Sequence, residues 1–363
     1  MLALAGTFDF HQVGGTDSYV RRLSLGCLAQ EPGMRIEWVF YGPRGSRPAE
    51  ETPAPGLTVR RLERFEAALA HLRDGRFDHV VVAQLRPLDR LRLRPARDLR
   101  GSRVHQLEFF FGRGPLRRWL KFRQVRRAGL DGTVFCASGR IQRYLAGVGC
   151  RAILLPPPVP AEYFDAPAPA DRRAPSQPAK LLFLGRIDPR KGAAAALELM
   201  TALARAGRYR CEIRGIRIAA DPPAQRLHRR LLAQSAVPYV PIERQGWSAS
   251  LETQTVEALG AADIFVQPYR TLDSTVDTPL LLLEAMARSC AVLTTAVGEV
   301  AAVYGDSPFV TGPRGFVASA RRLLEDLDDE RLRQERARVR RQAAGLDVRA
   351  DHVCRMFLDE LDR

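Results

Sequence analysis

The chain has 363 residues, a formal charge of +15 and 46% apolar residues. That length exceeds one comfortable hydrophobic core and predicts two domains; no apolar run of membrane-spanning length and no signal-peptide pattern appears, so a cytoplasmic protein is expected. Apart from Lys121, Lys180 and Lys191 the basic residues are arginines, spread along the chain rather than gathered in one arm, which argues against a nucleic-acid partner.

The opening "MLALAGTFDF" reads as a strand and a loop. In "FHQVGGTDSYVRRL", Gly14 and Gly15 end that loop and open the first helix, where glycine lets backbone approach a ligand closely; a plain turn suits them equally. Strands are expected at 34–42, 79–84, 103–109 and 132–138, with amphipathic helical stretches between them. The third of these carries His105 inside the strand pattern and Glu108 nearer its end; a hydrogen-bonded strand histidine suits His105 equally. Segment 113–127, "RGPLRRWLKFRQVRR", interleaves Trp119, Leu120 and Phe122 with cations. It reads either as a surface for anionic lipid or as a helix turning its aromatics inward.

Residues 156–180 are rich in proline, alanine and charge and mark a boundary. Alternation then resumes with strands at 180–185, 209–215, 238–244, 263–268 and 291–296, and charged helices close the chain from about 314. Strand, helix, strand at this spacing predicts an α/β protein with two parallel sheets and a cleft between its halves. The expected domains are 1–160 and 180–346, joined by a linker at 161–179. Six cysteines (27, 136, 150, 211, 290 and 354) lack metal or redox spacing and read as buried free thiols.

Two stretches carry chemistry. In "LLFLGRIDPRKG" a strand ends at Gly185, a loop bears Arg186 and Lys191, and Gly192 opens a helix; two cations beside a helix N-terminus suit a phosphate. Lys191 is notable because arginine is the chain's habitual base. A basic surface loop would read the same way. In "DTPLLLLEAMARS", Asp277 or Thr278 is expected to cap a helix with Pro279 as its first residue. Glu284 follows four leucines and is expected to be at least partly buried, where its carboxylate could accept from a ribose diol; a solvent-facing glutamate is the alternative. The acidic "DLD" at 326–328 reads as a solvated helix face rather than a metal site.

Together these stretches resemble the retaining glycosyltransferases of family 4, also called group 1, with the GT-B fold. "LLFLGRIDPRKG" is similar to their donor-phosphate motif, "DTPLLLLEAMARSCAVLTTAVGEV" to the second half of their E-x7-E motif, and "VGGTDSYVRRL" to their N-terminal Gly-Gly helix start. "FCASGRIQRYLAGVGCRAILLPPPV" resembles the stretch entering the interdomain linker. The resemblance implies two Rossmann-like domains with parallel sheets facing across a cleft, the first on the acceptor side, and a last helix at 347–363 that packs back on the first domain. It implies that Arg186 and Lys191, with Gly185, bind a donor diphosphate, that Glu284 binds the nucleotide ribose, and that backbone at Asp277, Thr278, Pro279 and Leu280 contacts phosphate and sugar. Gly14 and Gly15 would approach the diphosphate from the first domain. Gly246 and Trp247, after a strand, lie where the base would be read.

Two departures qualify the carry-over. The first acid of the motif would fall eight residues before Glu284, at Val276; Asp277 is the expected replacement on the donor sugar, with Asp273 second. The family's histidine after a strand has two candidates, His105 and Glu108. The implied reaction moves a sugar from a nucleoside-diphosphate sugar to a hydroxyl of a glycan or lipid-linked acceptor, with no metal and no other cofactor. A peripheral contact with the inner face of an anionic membrane is the associated expectation. The alternatives are a non-catalytic nucleotide- or glycan-binding protein, consistent with Val276, and a nucleotide-sugar 2-epimerase, which would need a cluster of acids and a histidine that the sequence lacks.

Overall fold

A parallel strand covered by helices on both faces has no solvent side, so it reads as an unbroken apolar run. The chain carries two sets of such runs, and the computed structural model builds one sheet on each. It describes residues 1–12, 14–43, 47–86, 89, 92, 93, 99, 101–112, 114–127, 132–165, 177–217, 221–242, 247–272 and 275–363. Two units result, Met1–Pro158 with Arg349–Arg363, and Val159–Val348.

The first unit runs β1 (Leu2–Gly6), α1 (Gly15–Gln30), β2 (Ile36–Tyr41), β3 (Glu50–Ala54), β4 (Leu57–Leu62), α2 (Phe65–Asp74), β5 (His79–Ala83), β6 (Arg103–Glu108), α3 (Pro115–Arg127), β7 (Val134–Cys136), α4 (Gly139–Gly147) and β8 (Ala152–Leu154). Its strands are ordered β3-β4-β2-β1-β5-β6-β7-β8. All pairs are parallel except the edge hairpin β3–β4.

The second unit runs α5 (Glu162–Asp165), β9 (Ala179–Arg186), a 3-10 turn (Pro189–Lys191), α6 (Ala193–Arg205), β10 (Tyr209–Ile216), α7 (Pro222–Ala233), β11 (Tyr239–Ile242), α8 (Ala249–Gly260), β12 (Ile264–Gln267), α9 (Leu280–Ala287), β13 (Ala291–Thr295), α10 (Val300–Tyr304), β14 (Val310–Thr311), α11 (Phe316–Glu325) and α12 (Asp329–Ala344). The order is β11-β10-β9-β12-β13-β14, parallel throughout. Every residue of β12 and β13 is buried. The last helix, α13 (Ala350–Leu361), returns to the first unit and packs on α1.

Four strands escape the sequence pattern. β4, next to the edge strand, alternates buried and half-buried residues and buries Arg61, while β8 and β14 are only three and two residues long. β3 joins β4 in a hairpin whose edge strand is half exposed. The segment expected to be linker is partly core, since Val159 and Tyr163 are fully buried in the second unit and the Val159 amide donates to the Val348 carbonyl at 2.8 Å. The cysteines are free thiols, five of them buried. Asp328 of the "DLD" run caps α12, accepting from the Arg331 amide at 2.7 Å.

A buried ion pair ties α12 to the sheet. Arg336 donates to Asp263 at 2.7 Å and to the Ser289 carbonyl at 3.0 Å, while Asp263 also accepts from the Lys180 amide at the start of β9. Removing one partner of a buried pair leaves the other charge uncompensated. Asp263→Ala is therefore expected to destabilise the protein by about 3–5 kcal/mol, measured by denaturant unfolding, whereas replacing the exposed Glu330 of the Arg333 pair should leave the unfolding midpoint essentially unchanged.

Candidate functional site

The second sheet reverses its winding between β9 and β12, because β10 and β11 extend from one side of β9 and β13 and β14 from the far side of β12. Open parallel sheets bind ligands at such a switch point, beyond the carboxyl ends of the strands. Here the ladder between β9 and β12 stops early. Ile264 pairs with Leu181 and Phe265 with Leu182, yet β9 continues to Arg186 and β12 to Gln267. The ladder thus ends before either strand does.

The loops leaving these two strands are fastened to each other. The Arg270 amide donates to the Arg190 carbonyl at 3.1 Å. Gly192 has φ of +80°, and a Cβ there would lie 1.9 Å from the Pro268 carbonyl oxygen, so only glycine permits this approach. Asp188 holds the first loop in shape. Its side chain accepts from the Arg190 amide at 2.9 Å and from the Arg190 guanidinium at 3.0 and 2.9 Å. Burial works against the Asp188 charge, but the bonds from Arg190 outweigh it and keep the carboxyl below its usual range.

Tyr269, fully buried, sits at the centre of the arrangement. The Lys191 ammonium lies 5.7 Å from its ring centroid. Burial pushes the phenol pKa well up, the Thr275 side chain opposes that by hydrogen bonding, and the charges of Glu284 and Arg186 both reach it. Glu284 itself is 3% exposed on α9. Arg186, Lys191 and Glu284, nearly a hundred residues apart at the extremes, thus share one neighbourhood around a tyrosine that the sequence does not mark.

The start of α9 differs from expectation. Pro279 is the N-cap, with φ −67° and ψ 128°, and the helix begins at Leu280; neither Asp277 nor Thr278 caps it. The extended ψ of Pro279 takes it out of the helix. Asp277 and Thr278 are buried at 1% and 4% exposure. Asp277 packs against the loop after β13, its carbonyl accepting from the Glu299 amide at 3.2 Å. Val276 is buried beside it at 7%. Gly185, at the end of β9, takes φ of +146°. Trp247 precedes α8 and donates to Glu252 at 3.3 Å; Gly246 and Asp273 lie outside the described residues.

In the first unit, Gly14 and Gly15 stand at the N-cap and first residue of α1. The preceding loop is held from below by Arg21, which donates to the Phe10 carbonyl at 2.7 Å and the Gln12 carbonyl at 3.2 Å. Asp9 in that loop pairs with buried Arg61 at 3.1 Å and with Arg47 at 2.6 Å. Glu108 ends β6 and is neutralised by Lys121 at 2.5 Å. His105 requires correction. It lies mid-strand, 2% exposed, its Nδ1 accepting from the Thr133 amide at 3.1 Å and its Nε2 3.1 Å from Nδ1 of His79. Because Thr133 donates to Nδ1, the proton of neutral His105 sits on Nε2 and is given to His79. Both nitrogens serve the sheet, and none is left for an acceptor.

Among the described residues, no group of three or more His, Cys, Asp or Glu could hold a metal ion. Sequence reasoning also missed Tyr269, Asp188 and Gln267. The first two follow strands at the switch point; the third is a lone amide in an otherwise apolar strand.

Residues 178–326 match the family model described as "Glycosyl transferases group 1". The sequence matches no curated protein. The fold is similar to that of sucrose-phosphate synthase from Thermosynechococcus elongatus, with a TM-score of 0.72 at 17% identity over 99% of this chain and 98% of that one. It is similar to an α,α-trehalose-phosphate synthase (UDP-forming) from Burkholderia vietnamiensis, with a TM-score of 0.67 at 11% identity over 99% of each chain. A glycosyltransferase from Rickettsia africae gives a TM-score of 0.67 at 13% identity over 99% of this chain and 97% of that one.

Lys191 sets a pH dependence. Burial and the Arg186 charge push its pKa from 10.5 down to about 7, against a smaller upward pull from Asp188. Between those two values the unfolded chain keeps the lysine proton and the folded chain sheds it, so stability rises with pH across that window. The strain of the buried charge is fully present below about 7. Lys191→Met should therefore be more stable than wild type at pH 6, with the advantage shrinking by pH 9 in thermal melts; a constant difference would contradict this.

Proposed function

We propose that the protein is a retaining glycosyltransferase that moves a sugar from a nucleoside-diphosphate sugar to an acceptor, its donor seated on the second unit between the ends of β9 and β12; the match of residues 178–326 to the group 1 glycosyl transferase model and the likeness of the fold to sucrose-phosphate synthase support this reading. The observation that carries this reading is the gathering of Arg186, Lys191 and Glu284 around Tyr269 at the switch point. Two cations and a buried carboxylate suit a diphosphate at one end and a ribose at the other.

In this reading, negative charge grows on the diphosphate as the glycosidic bond breaks. Arg186 and the protonated Lys191 neutralise it, and the amides opening α9 add the positive end of a helix dipole. Lys191, near neutrality in the empty site, takes up a proton as the diphosphate arrives, because an anion favours the charged amine. Glu284 accepts from the ribose hydroxyls, and Asp277 holds the donor sugar where Val276 replaces the expected acid. Trp247 borders the base. The acceptor is a hydroxyl of a glycan or a lipid-linked molecule.

Arg186→Ala is expected to lower kcat by about 10²–10³ in a donor-turnover assay across nucleoside-diphosphate sugars, and to abolish the thermal shift given by UDP or GDP. Nucleotide binding that survives the substitution would refute the site. Binding without donor hydrolysis or transfer would instead favour the non-catalytic reading that Val276 suggests.

The face of α3 supports a second proposal, contact with an anionic membrane. Phe122 turns inward against Phe111 and Tyr144, at ring distances of 6.2 and 5.0 Å. Leu116, Trp119 and Leu120 turn outward, at 68%, 46% and 45% exposure, and Arg123 stacks over Trp119 at 4.7 Å. Residues at this spacing share a helix face. No helix among the described residues is long and apolar enough to cross a membrane, so the contact is peripheral, on the inner face. Replacing all three exposed residues with serine should remove co-flotation with phosphatidylglycerol vesicles at low salt; wild-type protein that stays behind would end the proposal.

A further inference from the structure

The end of β12 carries a polar group that the reading above does not use. Gln267 is the last residue of β12 and is fully buried. Its backbone is well satisfied, with its carbonyl accepting from the Thr294 hydroxyl at 2.8 Å and from the Tyr269 amide at 3.0 Å. Its side chain is not. Among the described residues, neither Nε2 nor Oε1 has a hydrogen-bond partner. A buried amide without partners opposes folding, and a leucine of similar volume would fill the same place without that penalty.

The direction of the side chain is fixed by its neighbours. Nε2 lies 4.0 Å from where a Cβ on Gly185 would stand, and Leu281 of the first turn of α9 lies 3.6 Å from the same point. The amide therefore packs beside Gly185, within reach of the end of β9 and the start of α9. Arg186 follows Gly185 directly. The ladder between β9 and β12 has already ended at Phe265, so Gln267 is paired with β13 and not with β9.

We infer that Gln267 is a donor-binding residue, whose side-chain N–H groups bond a diphosphate oxygen from beneath while Arg186 and Lys191 neutralise its charge. The inference rests on the proposed donor site and deepens it. An amide suits this position because it adds a directed hydrogen bond without a third positive charge. It also explains why Gly185 has no side chain beside the amide, beyond the demand of its positive φ. The same bond makes the site selective, because a ligand that cannot accept from the amide leaves it buried and unsatisfied.

The test uses the full-length protein and measures binding of inorganic pyrophosphate, UDP and GDP by calorimetry, together with ligand-free melting temperature. Gln267→Leu should melt no lower than wild type without ligand, and should bind the diphosphates about ten- to a hundred-fold more weakly. Gln267→Glu, nearly isosteric, should weaken them further by placing an acid under the phosphate. Wild-type affinity in Gln267→Leu, with binding lost in Arg186→Ala, would overturn the role of Gln267 alone. Unchanged affinity in both Arg186→Ala and Lys191→Met would overturn the donor site and this inference with it. A large drop in ligand-free melting temperature for Gln267→Leu would also overturn it, because the amide would then be serving the fold.

Discussion

The cross-tie between the loops that leave β9 and β12 is the constraint on which the proposed donor site depends. The ladder between the two strands runs only from Ile264 and Leu181 to Phe265 and Leu182, and ends before either strand does. Beyond it the two loops are held to each other through the Arg190–Arg270 backbone bond and the approach of Gly192 to Pro268. A side chain at position 192 would push the two loops apart. The geometry of the site is therefore set by backbone, and its side chains are carried on a frame that does not need a ligand to form.

Charge on that frame is apportioned by Asp188. Three cations lie within six residues, and one acid is buried among them. Asp188 takes Arg190 through both its amide and its guanidinium. That leaves Lys191 facing Arg186 and the Tyr269 ring in a partly desolvated pocket, which is why its proton is held weakly. A weakly held proton on a lysine is a stored demand for an anion. The adjoining start of α9 has the same character, because no side chain caps its first amides. Neither feature alone defines a site, but both lie at the switch point with Gln267.

Much of this was legible in the sequence, and the limits have physical causes. Buried parallel strands are uniform in hydrophobicity, so β1, β2, β5, β9, β12 and β13 were readable as apolar runs. The edge strand β3 and its neighbour β4 carry the polarity of a half-exposed surface and were not. Lys191 and Glu284 stood out because each breaks a local habit, a lysine among arginines and an acid after four leucines, while Arg186 stood out by its place in the loop after a strand. Tyr269 breaks no habit and follows a strand like many aromatics. Pro279 was misread by one position, since proline's fixed φ suits both the N-cap and the first helical turn, and only ψ distinguishes them. For His105 the sequence left a hydrogen-bonded strand histidine as an equal alternative, because a sequence cannot show that Thr133 and His79 are its partners.

Buried polarity takes two forms in this fold. In the first unit, Asp9, Arg61, Arg47 and Glu51 bond to one another, and Arg21 binds the adjoining loop carbonyls. Burial alone would raise the Asp9 pKa, but bonds from Arg61, the His11 amide and Arg47 outweigh it and keep the carboxyl below its usual range. That network fixes the loop that leads into α1. Elsewhere buried side-chain atoms find no hydrogen bond among the described residues, at Gln84 and Asp89 in the first unit and at Gln267 in the second. Unsatisfied polarity costs about 1–3 kcal/mol per group in folding free energy. What distinguishes Gln267 is its place at the end of β12, beside Gly185 and the loop that bears Arg186 and Lys191, and that placement is the physical ground for proposing the donor's charged end on the second unit.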